Sequence, residues 1–117
     1  MVKVEAVVVR ERVETVIDAV EEETGHVGVT VLEAIGHGRE RGVTHEYRGR
    51  TFESRFLPKA LLTFLVEDAL AERVVAAIAD AARSGNDSGD GIVWTTPVGN
   101  VTHNRTALRL EEAEFHA

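Results

Sequence analysis

The apolar positions of the chain alternate, switch to a helical period, and then do both again. Residues 2–9 (VKVEAVVV) are β-branched and partly alternating, which predicts a strand. Over residues 11–24 the period changes. Val13, Val16, Ile17 and Val20 fall at helical spacing with Glu14, Asp18, Glu21 and Glu22 elsewhere, so an amphipathic helix is expected, with Gly25 as its stop. Residues 27–35 (VGVTVLEAI) read as a second strand and 56–66 (FLPKALLTFLV) as a third, with Pro58 at a bend or on a sheet edge. Asp68 stands where a helix N-cap is wanted, and Leu70, Val74, Ala77, Ile78 and Ala81 repeat with helical spacing up to about Arg83. Residues 84–91 (SGNDSGDG) form a loop by composition, and 92–96 (IVWTT) a fourth strand ended by Pro97, after which Val98 to Val101 are expected to pair again nearby. From Thr102 the tail is polar.

The order β-α-β-β-α-β predicts an α+β, ferredoxin-like sandwich: one four-stranded antiparallel sheet with two helices on one face. At 117 residues the chain is long enough for one such domain, spanning 1–117, and too short for two. Residues 2–9 and 56–66 carry more alternating apolar positions than one sheet face needs. The uncovered face therefore predicts oligomerisation. Many functions share this architecture, so it decides none of them. The remaining stretch, 36–55 (GHGRERGVTHEYRGRTFESR), has no sustained period and contains four glycines. A connection of that length in a compact domain is usually functional, and its two ends are placed to extend the flanking strands as a hairpin arm.

Composition narrows the field. Hydrophobic residues are 44% and charged residues 28%, a globular balance. No apolar run approaches the roughly 20 residues of a membrane span, and Met1 to Glu5 do not begin a secretory signal. The absence of cysteine removes disulfides, thiol nucleophiles and thiolate metal sites, and fits a cytoplasmic protein. A net charge of −7 argues against nucleic acid as a partner. Yet between Gly36 and Arg55 five arginines (39, 41, 48, 50, 55) outnumber three glutamates (40, 46, 53), a local excess that suits an anion or an acidic partner. The bland alternative is a solvated loop in which arginine is the default cation, since Lys3 and Lys59 are the only lysines. The five histidines (26, 37, 45, 103, 116) show no metal-binding spacing, although His37, His45 and Glu46 could gather on a loop around a divalent metal. Neither a Ser-His-Asp nor a paired-carboxylate arrangement stands out, so an enzyme is not expected.

Several motifs in order along the chain resemble the PII signal-transduction family. They are G-x-G-R at Gly36 to Arg39, Y-R-G at Tyr47 to Gly49 and F-L-P-K at Phe56 to Lys59. Further on come S-G-x-x-x-G-D-G at Ser84 to Gly91, P-V-x-x-V at Pro97 to Val101, and Arg105-Thr106. Residues 36–55 then correspond to the family's T-loop, 84–91 to its B-loop, and 102–117 to its C-terminal loop and tail. The resemblance implies a homotrimer with nucleotide sites in the clefts between neighbours. Each would hold ATP or ADP, with AMP as a further candidate, and Mg2+ on the phosphates. It also implies a small-molecule effector and a T-loop that docks on a membrane transporter or metabolic enzyme of nitrogen or carbon supply, without insertion into the membrane. The nucleotide-binding positions implied are Gly28, Val29, Thr30, Gly36, Gly38, Arg39, Glu40, Lys59, Ser88, Gly89, Asp90, Gly91, His103 and Arg105; Gly28 to Thr30 would reach the adenine from the neighbouring chain. The partner-binding positions are Arg41, His45, Tyr47, Arg48, Arg50 and Phe52.

The residue chemistry is compatible with these roles. Glycines let backbone N–H groups approach phosphates, and Arg39, Lys59 and Arg105 offset phosphate charge. Read singly, each glycine is a turn, Lys59 a surface charge and Arg105 a tail salt bridge. Four positions depart from the family pattern. Glu40 replaces a glutamine that helps hold magnesium and 2-oxoglutarate; its carboxylate can ligate the metal but repels a dicarboxylate. Phe52 replaces a tyrosine that some members modify, and lacks the hydroxyl. Ile92 replaces a lysine after a B-loop that is one residue longer, and His103 replaces an arginine. With fewer phosphate-facing cations, weaker ATP binding is expected. The alternative is then a PII-like sensor of bicarbonate with AMP or ADP, of a cyclic nucleotide, or of a divalent metal.

Overall fold

The computed structural model describes residues 1–25, 28–37, 44–47, 50–53, 56–85 and 89–110, with strands 44–47 and 50–53 as backbone only. Strand β1 spans Val2–Val9 and passes through a 3-10 turn, Arg10–Arg12, into helix α1, Val13–Thr24. Strand β2 is Val29–Gly36. A separate hairpin, β3 (Thr44–Tyr47) and β4 (Arg50–Glu53), precedes β5, Leu57–Val66. A second 3-10 turn, Asp68–Leu70, leads into α2, Ala71–Ala81. Strand β6 is Ile92–Pro97, and two short strands, β7 (Val101–Thr102) and β8 (Arg109–Leu110), close the described chain.

The main sheet has the order β2-β5-β1-β6 and is antiparallel throughout. This is the ferredoxin-like α+β arrangement that the element order predicts. The hydrophobic alternation sets its faces. Val4, Ala6 and Val8 of β1 stand opposite Phe64, Leu62 and Ala60 of β5, and all six are buried. Val16 and Val20 from α1 and Val74, Ile78 and Ala81 from α2 complete that core. Both helices therefore cover one face, each burying the stripe its sequence period foretells. Arg12 ties them together, its Nε donating to the Ala81 carbonyl at 2.9 Å.

The residues between these core positions form the opposite face. Leu32, Ile92 and Trp94 are exposed there, at 56%, 69% and 37%, alongside the half-buried Val7, Leu61 and Leu65. Lys3 Nζ pairs with Glu5 at 3.2 Å on the same face, and Thr63 Oγ1 donates to the other Glu5 oxygen at 3.4 Å. No described element covers this face.

Details differ from the sequence expectation for local reasons. Each helix is preceded by a 3-10 turn rather than starting directly. The N-cap positions are Glu67 and Leu70 rather than Asp68, whose carboxylate lies 3.0 Å from the Met1 amino group because the turn brings it beside the start of β1. Pro58 sits inside β5 opposite Ile35, one residue beyond the end of the β1 pairing at Lys59, where the strand has a neighbour on one side only. Strands β2 and β5 meet at Gly36 opposite Leu57, and β3–β4 pair with each other as a two-stranded sheet; the segments that would join the two, 38–43 and 54–55, lie outside the described residues.

Phe64 is 1% exposed at the centre of this core. Phe64→Ala should lower unfolding free energy by about 3–5 kcal/mol, read as an earlier urea midpoint.

Candidate functional site

Because β2 and β5 are antiparallel neighbours, β2 ends where β5 begins, and β1 ends at the same edge. Gly36 lies opposite Leu57, and Lys59 lies between Ala34 and Val9. Strand β6 starts there too, with Ile92 opposite Val7. One end of the sheet thus gathers Gly36, Lys59 and Gly89 to Gly91.

Lys59 is not the surface charge that its sequence position allows. It is 1% exposed, although its strand parity places it on the uncovered face. Its stem runs against the Gly36 backbone: a Cβ at Gly36 would stand 2.8 Å from Lys59 Cγ and 3.0 Å from Cε. Gly36 is therefore needed for close approach. Arg10, at the end of β1, donates from Nε to the Lys59 carbonyl at 3.2 Å. Gly91 answers a tighter constraint. It has φ +91°, and a Cβ there would lie 1.7 Å from the Val7 carbonyl oxygen, so the end of the loop abuts the β1 backbone. Ser84 Oγ donates to the Asp90 carboxylate across the same loop. Beneath it a cavity of about 200 Å³ is lined mainly by Val7, Val8, Ile78, Ile92 and Val93, with Arg83 and Asp90 among its walls. Arg83 is paired with Asp80.

Another group of candidates lies at the opposite end. Gly28, Val29 and Thr30 enter β2 there, Val29 opposite Phe64. His103 and Arg105 lie in the turn joining β7 to β8, next to the start of β1, where the Val98 N–H donates to the Met1 carbonyl at 3.2 Å. This turn is closed by its own hydrogen bonds. The His103 N–H donates to the Leu108 carbonyl at 2.9 Å and the Ala107 N–H to the His103 carbonyl at 2.8 Å, with Ala107 at φ 57°. The Arg105 N–H donates to His103 Nδ1 at 3.2 Å. Arg105 itself is exposed and makes no ion pair among the described residues.

The two groups are separated by the length of β1, whose 8 residues span about 25 Å. A single chain does not bring them together. Gly38, Arg39, Glu40, Arg41, Arg48 and Ser88 lie outside the described residues, as do the side chains of His45, Tyr47, Arg50 and Phe52. Among the described residues no three His, Asp or Glu side chains gather as a metal site. No helix among them is long and apolar enough to cross a membrane. Sequence reasoning assigned no role to Arg10, whose only signal is an arginine directly after a strand, and it did not foresee the hydrogen bond made by His103.

Comparison with known proteins places this arrangement. Residues 1–107 match the family model described as nitrogen regulatory protein P-II. Two similar proteins carry that same name. One, from Azospirillum brasilense, is 42% identical over 113 residues, covering 97% of this chain and 99% of the relative. The other, from Rhodospirillum rubrum, is 38% identical over the same length, with the same coverage of both chains.

The chain belongs to the P-II family.

A third relative, from Microchaete diplosiphon, also named nitrogen regulatory protein P-II, is 42% identical over 89 residues, 76% of this chain and 79% of its own. The match covers both sheet ends described above and stops at residue 107, inside the β7–β8 turn. The P-II assignment makes this protein a signal-transduction regulator.

Gly91→Ala must displace the Val7 carbonyl or move the whole loop. It should cost about 2–4 kcal/mol of stability from strain and overpacking combined, measured by urea unfolding.

Proposed function

We propose that this P-II protein is a cytoplasmic homotrimeric regulator that binds an adenine nucleotide between subunits and signals to a transporter or metabolic enzyme through residues 36–55. The observation that carries this reading is the division of the candidate residues between opposite ends of one sheet, beside a sheet face left apolar and bare. A second copy seated against that face can bring the Gly28–Thr30 and His103–Arg105 end of one chain toward the Gly36, Lys59 and Gly89–Gly91 end of another. One contact then buries the exposed Leu32, Ile92 and Trp94 and assembles the cleft.

Within the cleft, Lys59 and Arg105 supply positive charge, and the glycines at 36, 89 and 91 supply backbone N–H groups to phosphate oxygens. Magnesium would be carried on the nucleotide, with Glu40 as the protein carboxylate, since Mg2+ is usually held by substrate phosphates and one or two carboxylates. Regulation is the role that the family carries, and the charge and backbone donors of the site fit binding.

The hydrogen bond from the Arg105 N–H to His103 Nδ1 favours a second reading of the ligand. It engages His103 within its own turn, and Ile92 beside Gly91 brings no charge. Together these suit AMP or ADP with bicarbonate, or a cyclic nucleotide, better than a fully charged triphosphate. A divalent metal as the primary ligand has less support.

Light scattering should give a mass near three times the 12.8 kDa of the chain. Leu32→Glu, which puts a charge on the bare face, should shift the protein to monomer and abolish nucleotide binding. Calorimetry should find ATP preferred over ADP and AMP by less than about tenfold, equivalent to 1.4 kcal/mol; strong selection for ATP would overturn the reduced-charge reading. Gly36→Ala, by pushing the Lys59 stem aside, should weaken nucleotide binding several-fold with less than about 1 kcal/mol of lost stability, because the displaced group is a flexible side chain.

A further inference from the structure

We propose that Arg10 is an anion-binding residue of the cleft, contacting the terminal phosphates of the nucleotide and supplying charge that Ile92 does not. This inference rests on the nucleotide reading above and names a residue outside the motifs that led to it.

Among the described residues, the end of the sheet holding Gly36 and Gly91 has four cations: Arg10, Arg12, Lys59 and Arg83. Two are committed to α2. Arg12 Nε donates to the Ala81 carbonyl at 2.9 Å, and Arg83 is paired with Asp80 on the helix. Lys59 is buried against Gly36. Arg10 is held differently. It is an exposed residue whose Nε donates to the backbone carbonyl of Lys59 at 3.2 Å, its one hydrogen bond among the described residues.

That single bond matters for what remains. A guanidinium is planar, and anchoring it through Nε fixes the direction of the whole group while leaving both terminal nitrogens available. Those nitrogens form the fork that binds phosphate or carboxylate oxygens in a bidentate way. The anchor is the backbone of Lys59 itself, so the guanidinium and the buried ammonium stem rise from one point of β5. Lys59 is thereby paired with a second cation through a main-chain contact, which ties their positions together. At this end Asp80 is paired with Arg83, and Asp90 accepts from Ser84. In the proposed cleft, Arg10 offers its two terminal nitrogens to the anion as an oriented charge. The contact is strongest for ligands with several terminal phosphate oxygens, so Arg10 should influence ATP and ADP more than AMP.

The test is calorimetric titration of wild type, Arg10→Ala and Arg10→Lys with ATP, ADP and AMP, with melting temperature and oligomer mass as fold controls. The expected result is that Arg10→Ala weakens ATP about tenfold and AMP less than twofold, at unchanged mass. Arg10→Lys should recover only part of the ATP affinity, because an ammonium lacks the fork. Unchanged ATP affinity in Arg10→Ala overturns the proposal. So does an equal loss for all three nucleotides, which marks a purely structural effect through Lys59. If wild type binds no adenine nucleotide, the nucleotide reading falls. Tripolyphosphate then becomes the probe, and equal binding by wild type and Arg10→Ala overturns the role of Arg10 independently.

Discussion

The antiparallel pairing of β1 with β5 is the constraint from which the rest of the molecule follows. It runs the length of β1, from Val2 opposite Val66 to Val9 opposite Lys59. Because strand side chains alternate with a period of two, this register puts Val4, Ala6 and Val8 on the same face as Ala60, Leu62 and Phe64. A slip of one residue would send every one of them to the other side. The helices α1 and α2 have one apolar stripe each, and both stripes find this face. The outer strands β2 and β6 then pair at its flanks, and neither adds a second layer beneath.

The same parity leaves Val7, Leu61 and Leu65 on the far face, joined by Leu32, Ile92 and Trp94 from the outer strands. The two helices cover one face, and no described element covers the far one. Its polar centre, Lys3 with Glu5 and Thr63, is satisfied internally, which lowers the penalty for covering it. An apolar surface with a paired polar core suits a specific contact between folded copies better than indiscriminate association.

Topology also sorts the loops. Each helix carries the chain back past the sheet, so every helix-to-strand connection and every strand end falls at one of two edges. Gly36, Lys59 and Gly91 share one edge, whereas Gly28, His103 and Arg105 share the other. In the proposed trimer, association through the bare face and assembly of the nucleotide cleft would be linked in one geometry. At the first edge the close contacts are between backbones and buried stems: Gly91 against Val7, Gly36 against Lys59, and Arg10 on the Lys59 carbonyl. The contact of Gly91 with the Val7 backbone has little room to yield, whereas the Lys59 stem against Gly36 can shift.

Several features were legible in the sequence because they depend on local periodicity. The strand at 2–9, the helix stripe of Val16 and Val20, the stop at Gly25, the loop at 84–91 and the antiparallel fold all follow from spacing that near neighbours set. The loop motifs from Gly36 to Gly91 likewise pointed to the family. The rest depends on residues far apart in the chain. Burial of Lys59 comes from the register that sets it against Gly36, and the role of Asp68 comes from the return of Met1 to its side. The bond at His103 Nδ1 comes from the closure of a turn whose composition looked merely polar. Pattern along a chain fixes which face of each element is apolar, because hydrophobic burial has no direction of its own. Only the packed structure decides which backbone carbonyl meets which side chain, because hydrogen bonds and steric exclusion act over a few ångströms between segments that the sequence holds apart.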